Sequence, residues 1–267
     1  MRHALFLPLF DELADPAVVA GLALEAEQAG WDGVFVWDHI AYRAPVQEIA
    51  DPWVCLAAMA AVTERIRLGP MVTPLPRRRP AVVARQVAGL DRLSAGRLVL
   101  GVGIGGDGAR EFSATGEQLD ARVRGEMLDE SLQILAAAWT GEPVRHRGQH
   151  YVVDDIAFRP TPVQRPGPPV WVAARYGRPA PLRRAARHDG VFPIEIEEPD
   201  QLAEVVAAVR GLRAADAGPF DVAVGGPAGT DPSGYEKAGA TWWMTGFSPY
   251  ELRLDAVRTA LRDGPPG

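Results

Sequence analysis

Ala29-Gly30-Trp31-Asp32-Gly33-Val34-Phe35-Val36-Trp37-Asp38-His39 reads as the end of a helix, a buried strand and a polar pair set at the strand's far end. Gly30 suits the left-handed position that stops a helix, and four consecutive apolar residues rich in β-branched and aromatic types suit a strand covered on both faces. Asp15-Pro16 precedes the helical run Val18 to Ala29, and Asp51-Pro52 precedes Val54 to Thr63. In each case an aspartate can cap free backbone donors and a proline can occupy the first helical position. The result is one strand-helix unit with its chemistry-bearing residues where the strand ends.

The same unit recurs along the chain. Candidate strands are Ala4 to Leu9, Gly33 to Trp37, Ile66 to Val72, Leu98 to Ile104, Val170 to Ala174, Gly190 to Ile194, Val222 to Gly225 and Thr241 to Gly246, with helical patterns between them. Such alternation implies right-handed parallel crossovers, and about eight units close a (β/α)8 barrel. The seventh helix, Pro232 to Lys237, is short. Two excursions interrupt the pattern: Gly105 to Asp120 directly after strand four, and Gly141 to Pro169 between units four and five, which reads as a hairpin around Gly148 or an extended excursion. The first lies on the face where barrel active sites form. Residues 1–267 are expected to make a single barrel domain with a frayed tail over 263–267.

Composition narrows the function. The 267 residues are 47% hydrophobic and 23% charged, as in a well-packed globular chain, and the formal net charge is -6. No general basic surface is available for nucleic acid or an anionic membrane. The longest apolar run, Val54 to Val62, is too short to span a bilayer, and the start reads as a strand rather than a signal. Cys55 is the one cysteine, so neither an internal disulfide nor a Cys-based metal cluster is expected; no metal site is expected, and the cytoplasm is the expected compartment. Lys237 is the only lysine among 28 basic residues, so arginine is too common for any one of them to stand out.

Residues at strand ends are therefore the candidates. At strand two, His39 could transfer a proton and Asp38 could fix its tautomer or meet a polar ring edge; an N-cap aspartate beside a structurally satisfied histidine is the competing reading. Strand three ends in Gly69-Pro70-Met71-Val72-Thr73-Pro74, where two prolines argue for a bulge or a strained peptide rather than regular pairing. Arg77-Arg78-Arg79, which follows, is expected to be a solvated face. Strand four ends in Gly101-Val102-Gly103-Ile104-Gly105-Gly106-Asp107-Gly108, a backbone that a flat or phosphorylated ligand can approach closely. Strand five ends in Ala174-Arg175-Tyr176-Gly177-Arg178-Pro179, either a phosphate site at a helix start or an ordinary turn.

Taken in order, several segments give the chain a family resemblance. Ala29 to His39, Asp91-Arg92-Leu93-Ser94-Ala95-Gly96-Arg97 leading into Gly101-Val102-Gly103, Glu111-Phe112 with Gly116, Pro160 to Pro166 and Ala185 to Val191 resemble the bacterial-luciferase-like flavin and deazaflavin oxidoreductases over almost the whole length. The resemblance implies an insertion-containing barrel that holds FMN or coenzyme F-420 over its mouth. Asp38 and His39 would sit by the ring as catalytic and cofactor-binding residues. Met71 and Val72, with Thr73 beside them, would form a bulge behind it, and Gly103 and Ile104 would edge it. Ala174 and Arg175 would lead into Tyr176, Gly177 and Arg178, which would take the phosphate.

It also implies a small organic substrate, acted on by monooxygenation with a separate reductase or by hydride transfer, and a homodimer formed through helices near strands two and three. The chain departs from the family at Arg79, where histidine is frequent, at Arg175-Tyr176, where two glycines are frequent, and at Gly106, where the sugar-phosphate dehydrogenases of the family carry glutamate. A barrel hydrolase or isomerase acting on a phosphorylated small molecule through Asp38, His39 and Glu195, and a flavin binder without turnover, are the alternatives.

Overall fold

The computed structural model describes residues 1–214 and 216–266. Nine parallel strands form one sheet: β1 (Arg2–Leu7), β2 (Gly33–Val36), β3 (Arg67–Pro70), β4 (Thr73–Pro74), β5 (Leu100–Gly103), β8 (Val170–Arg175), β9 (Gly190–Ile194), β10 (Asp221–Pro227) and β11 (Trp242–Gly246). A separate antiparallel hairpin pairs β6 (Pro143–Arg147) with β7 (Val152–Ala157). In the nine-stranded sheet β3 and β4 stand at the two ends of the hydrogen-bonded order. They are halves of one stave broken at Met71-Val72, whose peptide is cis. β4 pairs with β5 near the top and Leu68 bridges to Leu98 below, so the sheet closes on itself as a barrel of eight staves.

Helices pack around it in the order α1 (Pro16–Gln28), α2 (Pro52–Val62), α3 (Pro80–Leu93), α4 (Ala121–Thr140), α5 (Pro179–Ala185), α6 (Pro199–Leu212), α7 (Ser233–Lys237) and α8 (Leu254–Asp263). The capping chemistry is as the sequence implied. Asp15 accepts from the Ala17 amide at 2.8 Å, and Asp51 accepts from Trp53 and Val54 at 2.8 and 3.0 Å. Gly30, at φ +86°, turns the chain out of α1. The seventh helix is short, and the Gly141 to Pro169 excursion contains the expected hairpin. α8 runs through Asp263; Gly267, the last residue of the expected frayed tail, lies outside the described residues.

Two apolar layers result. The larger lies between the outer strand faces and the helices. The smaller fills the barrel, where Phe35, Trp171 and Trp242 pack in tilted and edge-on pairs at 5.5 to 5.8 Å between ring centroids and Met71, Phe192 and Met244 lie among the same buried set. The interior is thus solid, and only its C-terminal end is free to hold a ligand. Among the described residues no helix is long and apolar enough to cross a membrane.

Candidate active site

Asp38 follows β2 and is the centre of a buried charge cluster. Thr73 donates its hydroxyl to Oδ2 at 2.6 Å, Arg77 Nη2 donates to Oδ1 at 2.6 Å, and Arg78 donates through Nε and Nη2 to Oδ2 at 3.0 and 2.7 Å. The carboxylate has no exposed surface. A carboxylate shared among four donors and closed off from solvent cannot also meet a ring edge at the mouth, so the expected contact of Asp38 with the ring does not fit. Asp38 anchors two guanidinium groups instead.

Arg77 bridges to a second carboxylate. Its Nη1 donates to Glu111 Oε1 at 2.6 Å, the Ile40 amide donates to the same oxygen at 2.7 Å, and His39 Nδ1 lies 2.8 Å from Glu111 Oε2. Since an ionised carboxylate only accepts, His39 presents Nδ1–H to it, which leaves Nε2 as the nitrogen able to take up or release a proton. Burial pushes the Glu111 carboxyl up, but the hydrogen bonds from His39 and Ile40 and the nearby Arg77 outweigh it and hold the group below its ordinary value. Phe10, Trp37 and Tyr42 surround the imidazole at 5.8, 5.8 and 5.0 Å between centroids. Its side chain nevertheless remains 27% exposed, whereas that of Glu111 is 4% exposed.

The arginine run corrects its sequence reading. Arg77 and Arg78, expected on a solvated face, have side chains 4% and 17% exposed and complete the cluster; only Arg79 lies exposed. Two buried carboxylates require two buried cations, and composition could not reveal that demand. Glu111, quoted above only as part of a motif, is the other residue missed. Its place in the excursion after strand four was the available signal.

The remaining candidates line the same rim. Met71 is buried in the barrel, with Val72 half-buried above it. A Cβ on Gly103 would stand 3.0 Å from Val72 Cγ2 and 3.4 Å from the Ala173 Cβ, so glycine keeps that edge flat. Ile104 is half-buried next to it. Ala174 is buried and Arg175 is exposed, 3.3 Å from Glu195. In the loop that follows, the Tyr176 amide already donates to Ile194 O and the Arg178 amide to Arg175 O, both at 3.1 Å. The Tyr176 hydroxyl donates to Glu204 at 2.6 Å. Gly177 turns the chain at φ +72° with open space around it, and the exposed Arg178 guanidinium makes no ion pair among the described residues.

Across the mouth, a cavity of about 390 Å³ opens between Phe6, Trp37, the ends of β9 and β10, and the Met244 to Ser248 stretch. None of the residues assigned to the ring or phosphate lines it. A flat glycine edge, apolar Val72 and Ile104, and a cationic loop on one arc, with a cavity on the other, fit a planar cofactor bearing a phosphate.

A parallel barrel with a histidine-carboxylate pair and these two arcs at its C-terminal rim defines a cofactor-binding α/β enzyme. The luciferase-like monooxygenase profile matches residues 8–240, so the chain belongs to that family and is an oxidoreductase of that class. It is 30% identical to an uncharacterized protein of Mycobacterium tuberculosis over 91% of this chain and 90% of that one. It is 35% identical to the F420-dependent glucose-6-phosphate dehydrogenase of Nakamurella multipartita over 64% of this chain, but that match spans only 50% of the relative. Among solved structures, an F420-dependent secondary alcohol dehydrogenase in complex with an F420-acetone adduct superposes with a TM-score of 0.81 at 18% identity, covering 97% of this chain and 96% of that one. The hydrolase alternative loses its footing as well, because Asp38 is enclosed and Glu195 is paired with Arg175.

Proposed function

We propose that the chain binds FMN or coenzyme F-420 at the barrel mouth and that His39 moves the proton which accompanies oxidation or reduction of a small organic substrate. The observation that carries this reading is the hydrogen-bonded line from Asp38 through Arg77 and Glu111 to His39, which ends in a partly exposed imidazole. A bound flavin-type ring would supply the hydride or oxygen chemistry. Val72, Gly103 and Ile104 would hold it, with Met71 beneath and Thr73 fixed to Asp38.

At the phosphate end, the Gly177 amide and the side chains of Arg175 and Arg178 would act. Tyr176 would supply only its ring, since its amide and hydroxyl are engaged. Glu111 acts by keeping Nδ1 protonated and the imidazole oriented, and Asp38 acts by fixing Arg77 and Arg78.

Residues 1–267 work as one unit in this reading, since α8 buries Val257 and Leu261 beyond the span of the family profile. With FMN, a separate reductase would renew the reduced ring. Exposed Val54, Val62 and Val82 on α2 and α3 would offer the surface for a homodimer. Titration of the purified protein with FMN and with F-420, followed by absorbance, tests the reading. Saturable binding of one of them is expected, and binding of neither would overturn it.

A further inference from the structure

The cavity on the far arc of the mouth has a chemistry that the cofactor assignment does not use. Phe6, Trp37, Phe192 and Phe247 line it with aromatic residues, and Ile196 and the buried Met244 belong to the same lining. Phe6 packs on Trp37 at 5.4 Å and edge-on against Phe192 at 5.6 Å, so this wall is a connected aromatic surface. Glu195 is the one ionisable side chain in the lining, at φ +63°. No arginine, lysine or histidine lines the cavity. Arg175 is not in the lining, and its guanidinium is paired with that same Glu195 at 3.3 Å. An anion entering here would lose its water shell, gain no cation and face a carboxylate. An uncharged ring would exchange water for apolar contact.

We propose that this cavity selects an uncharged, mainly apolar substrate with a ring system and excludes phosphorylated ones, so that the chain does not share the sugar-phosphate substrate named for the Nakamurella relative. The proposal deepens the oxidoreductase reading and rests on it for the identity of the reaction, while the selectivity follows from the lining alone. Trp37 joins the two functions. Its indole lines the cavity and packs 5.8 Å from His39, so a ring bound against it lies one side chain from the proton-transferring imidazole. Glu195 is assigned as the specificity-determining residue at the rim.

Calorimetric titration with 2-naphthol and 2-naphthyl phosphate, in the protein with and without FMN or F-420, tests this. Naphthol should bind at least about tenfold more tightly than its phosphate ester, because the ester adds a charge with no partner. Glucose 6-phosphate should not displace naphthol. Phe247→Arg and Ile196→Arg each place a cation in the lining. They should weaken naphthol binding and bring the preference down to about unity or below. Two rim variants are used so that one misfolded protein does not decide the matter. Glu195→Gln should raise affinity for naphthyl phosphate by a larger factor than affinity for naphthol.

Equal or tighter binding of the phosphate ester, no naphthol binding, or indifference of both arginine variants would overturn the proposal. The cofactor titration on the same samples separates the two readings. Normal cofactor binding with no naphthol binding removes the substrate assignment alone, and naphthol binding by a protein that takes up neither cofactor removes the proposed cofactor binding alone.

Discussion

The barrel carries a buried polar network at each end, and the two are built differently. At the C-terminal rim, Asp38, Arg77, Arg78 and Glu111 pair charge with charge and hold His39 by Nδ1, with its imidazole partly exposed. At the opposite end, polar side chains are spent on backbone. Arg97 donates to the carbonyls of Ser94, Ile66, Ala60 and Thr63 at 2.7 to 3.1 Å and to the Thr63 hydroxyl at 2.9 Å. Asp91, wholly buried, accepts from the Val163 and Gln164 amides and the Gln164 side chain. Glu27 takes the amides of Glu64, Arg65 and Ile66. In the lower network every guanidinium nitrogen of Arg97 is already engaged within the fold. It holds loops where strands begin, whereas the upper one holds a reactive group where strands end. Both contain residues of the family-like segments, so membership of a motif does not separate fold from function, and position along the strand does.

The strongest way to break this contrast is Arg97→Ala. Removing the guanidinium leaves four buried carbonyls short of a donor, and a loss of about 3 kcal/mol or more is expected in chemical or thermal unfolding. The fraction that remains folded should bind cofactor as before. A variant of normal stability with impaired cofactor binding would place Arg97 in the site and erase the difference between the two ends.

His39→Ala is the complementary test. The imidazole lies at a strand end and is partly exposed, and Glu111 keeps its contacts with Arg77 and Ile40. Stability should therefore change by no more than about 1 kcal/mol. Turnover, once a substrate is known, should fall about 10²-fold or more. A fully active or grossly unfolded variant would defeat the assignment. Loss of cofactor affinity with the rate intact at saturation would make His39 a packing residue.

How much of this was legible follows the same division. Apolar runs, Asp-Pro helix starts and Gly30 spell out the eight units, because burial and capping act locally and leave their mark on each segment. An irregularity near the end of strand three was legible from Pro70 and Pro74, and its place at Met71-Val72 from the family resemblance. The charge cluster was not. Arg77 and Arg78 lie far from Asp38 and Glu111 in sequence, and in a chain with so many arginines nothing marks two of them as buried. Pairing across loops is decided by the closed barrel, which brings the ends of β2 and β4 and the loop after β5 to one point. The aromatic cavity was hidden for a similar reason: Phe6, Phe192 and Met244 read as ordinary core residues until the strand ends are assembled.

A smaller effect sharpens the picture on the cofactor side. Arg178→Ala should weaken FMN or F-420 binding about five- to tenfold, the scale of one charge-assisted hydrogen bond at an exposed position. Tyr176→Phe should leave affinity unchanged, because the hydroxyl is held by Glu204. If the tyrosine variant weakens binding and the arginine variant does not, the phosphate end lies elsewhere on the rim.

The smallest expected effect is a change in how stability responds to pH, and it belongs to Glu111. Burial alone would raise this carboxyl, but the donors gathered on it lower it overall, so the folded protein holds the proton less readily than the unfolded chain does. A group depressed in this way contributes stability that is present above its unfolded value and lost as the pH falls through its folded value. Glu111→Gln removes that contribution and turns an amide donor toward a site surrounded by donors, so it should be less stable than wild type near neutrality. The gap should narrow on acidification, from about pH 7 toward about pH 4 and below, as the wild-type carboxylate takes up its proton. Denaturant unfolding of both proteins across that range reads the difference directly. A gap that stays constant would mean that Glu111 is already protonated in the folded protein. The carboxylate could not then set the His39 tautomer, and the upper network would be as purely structural as the lower one.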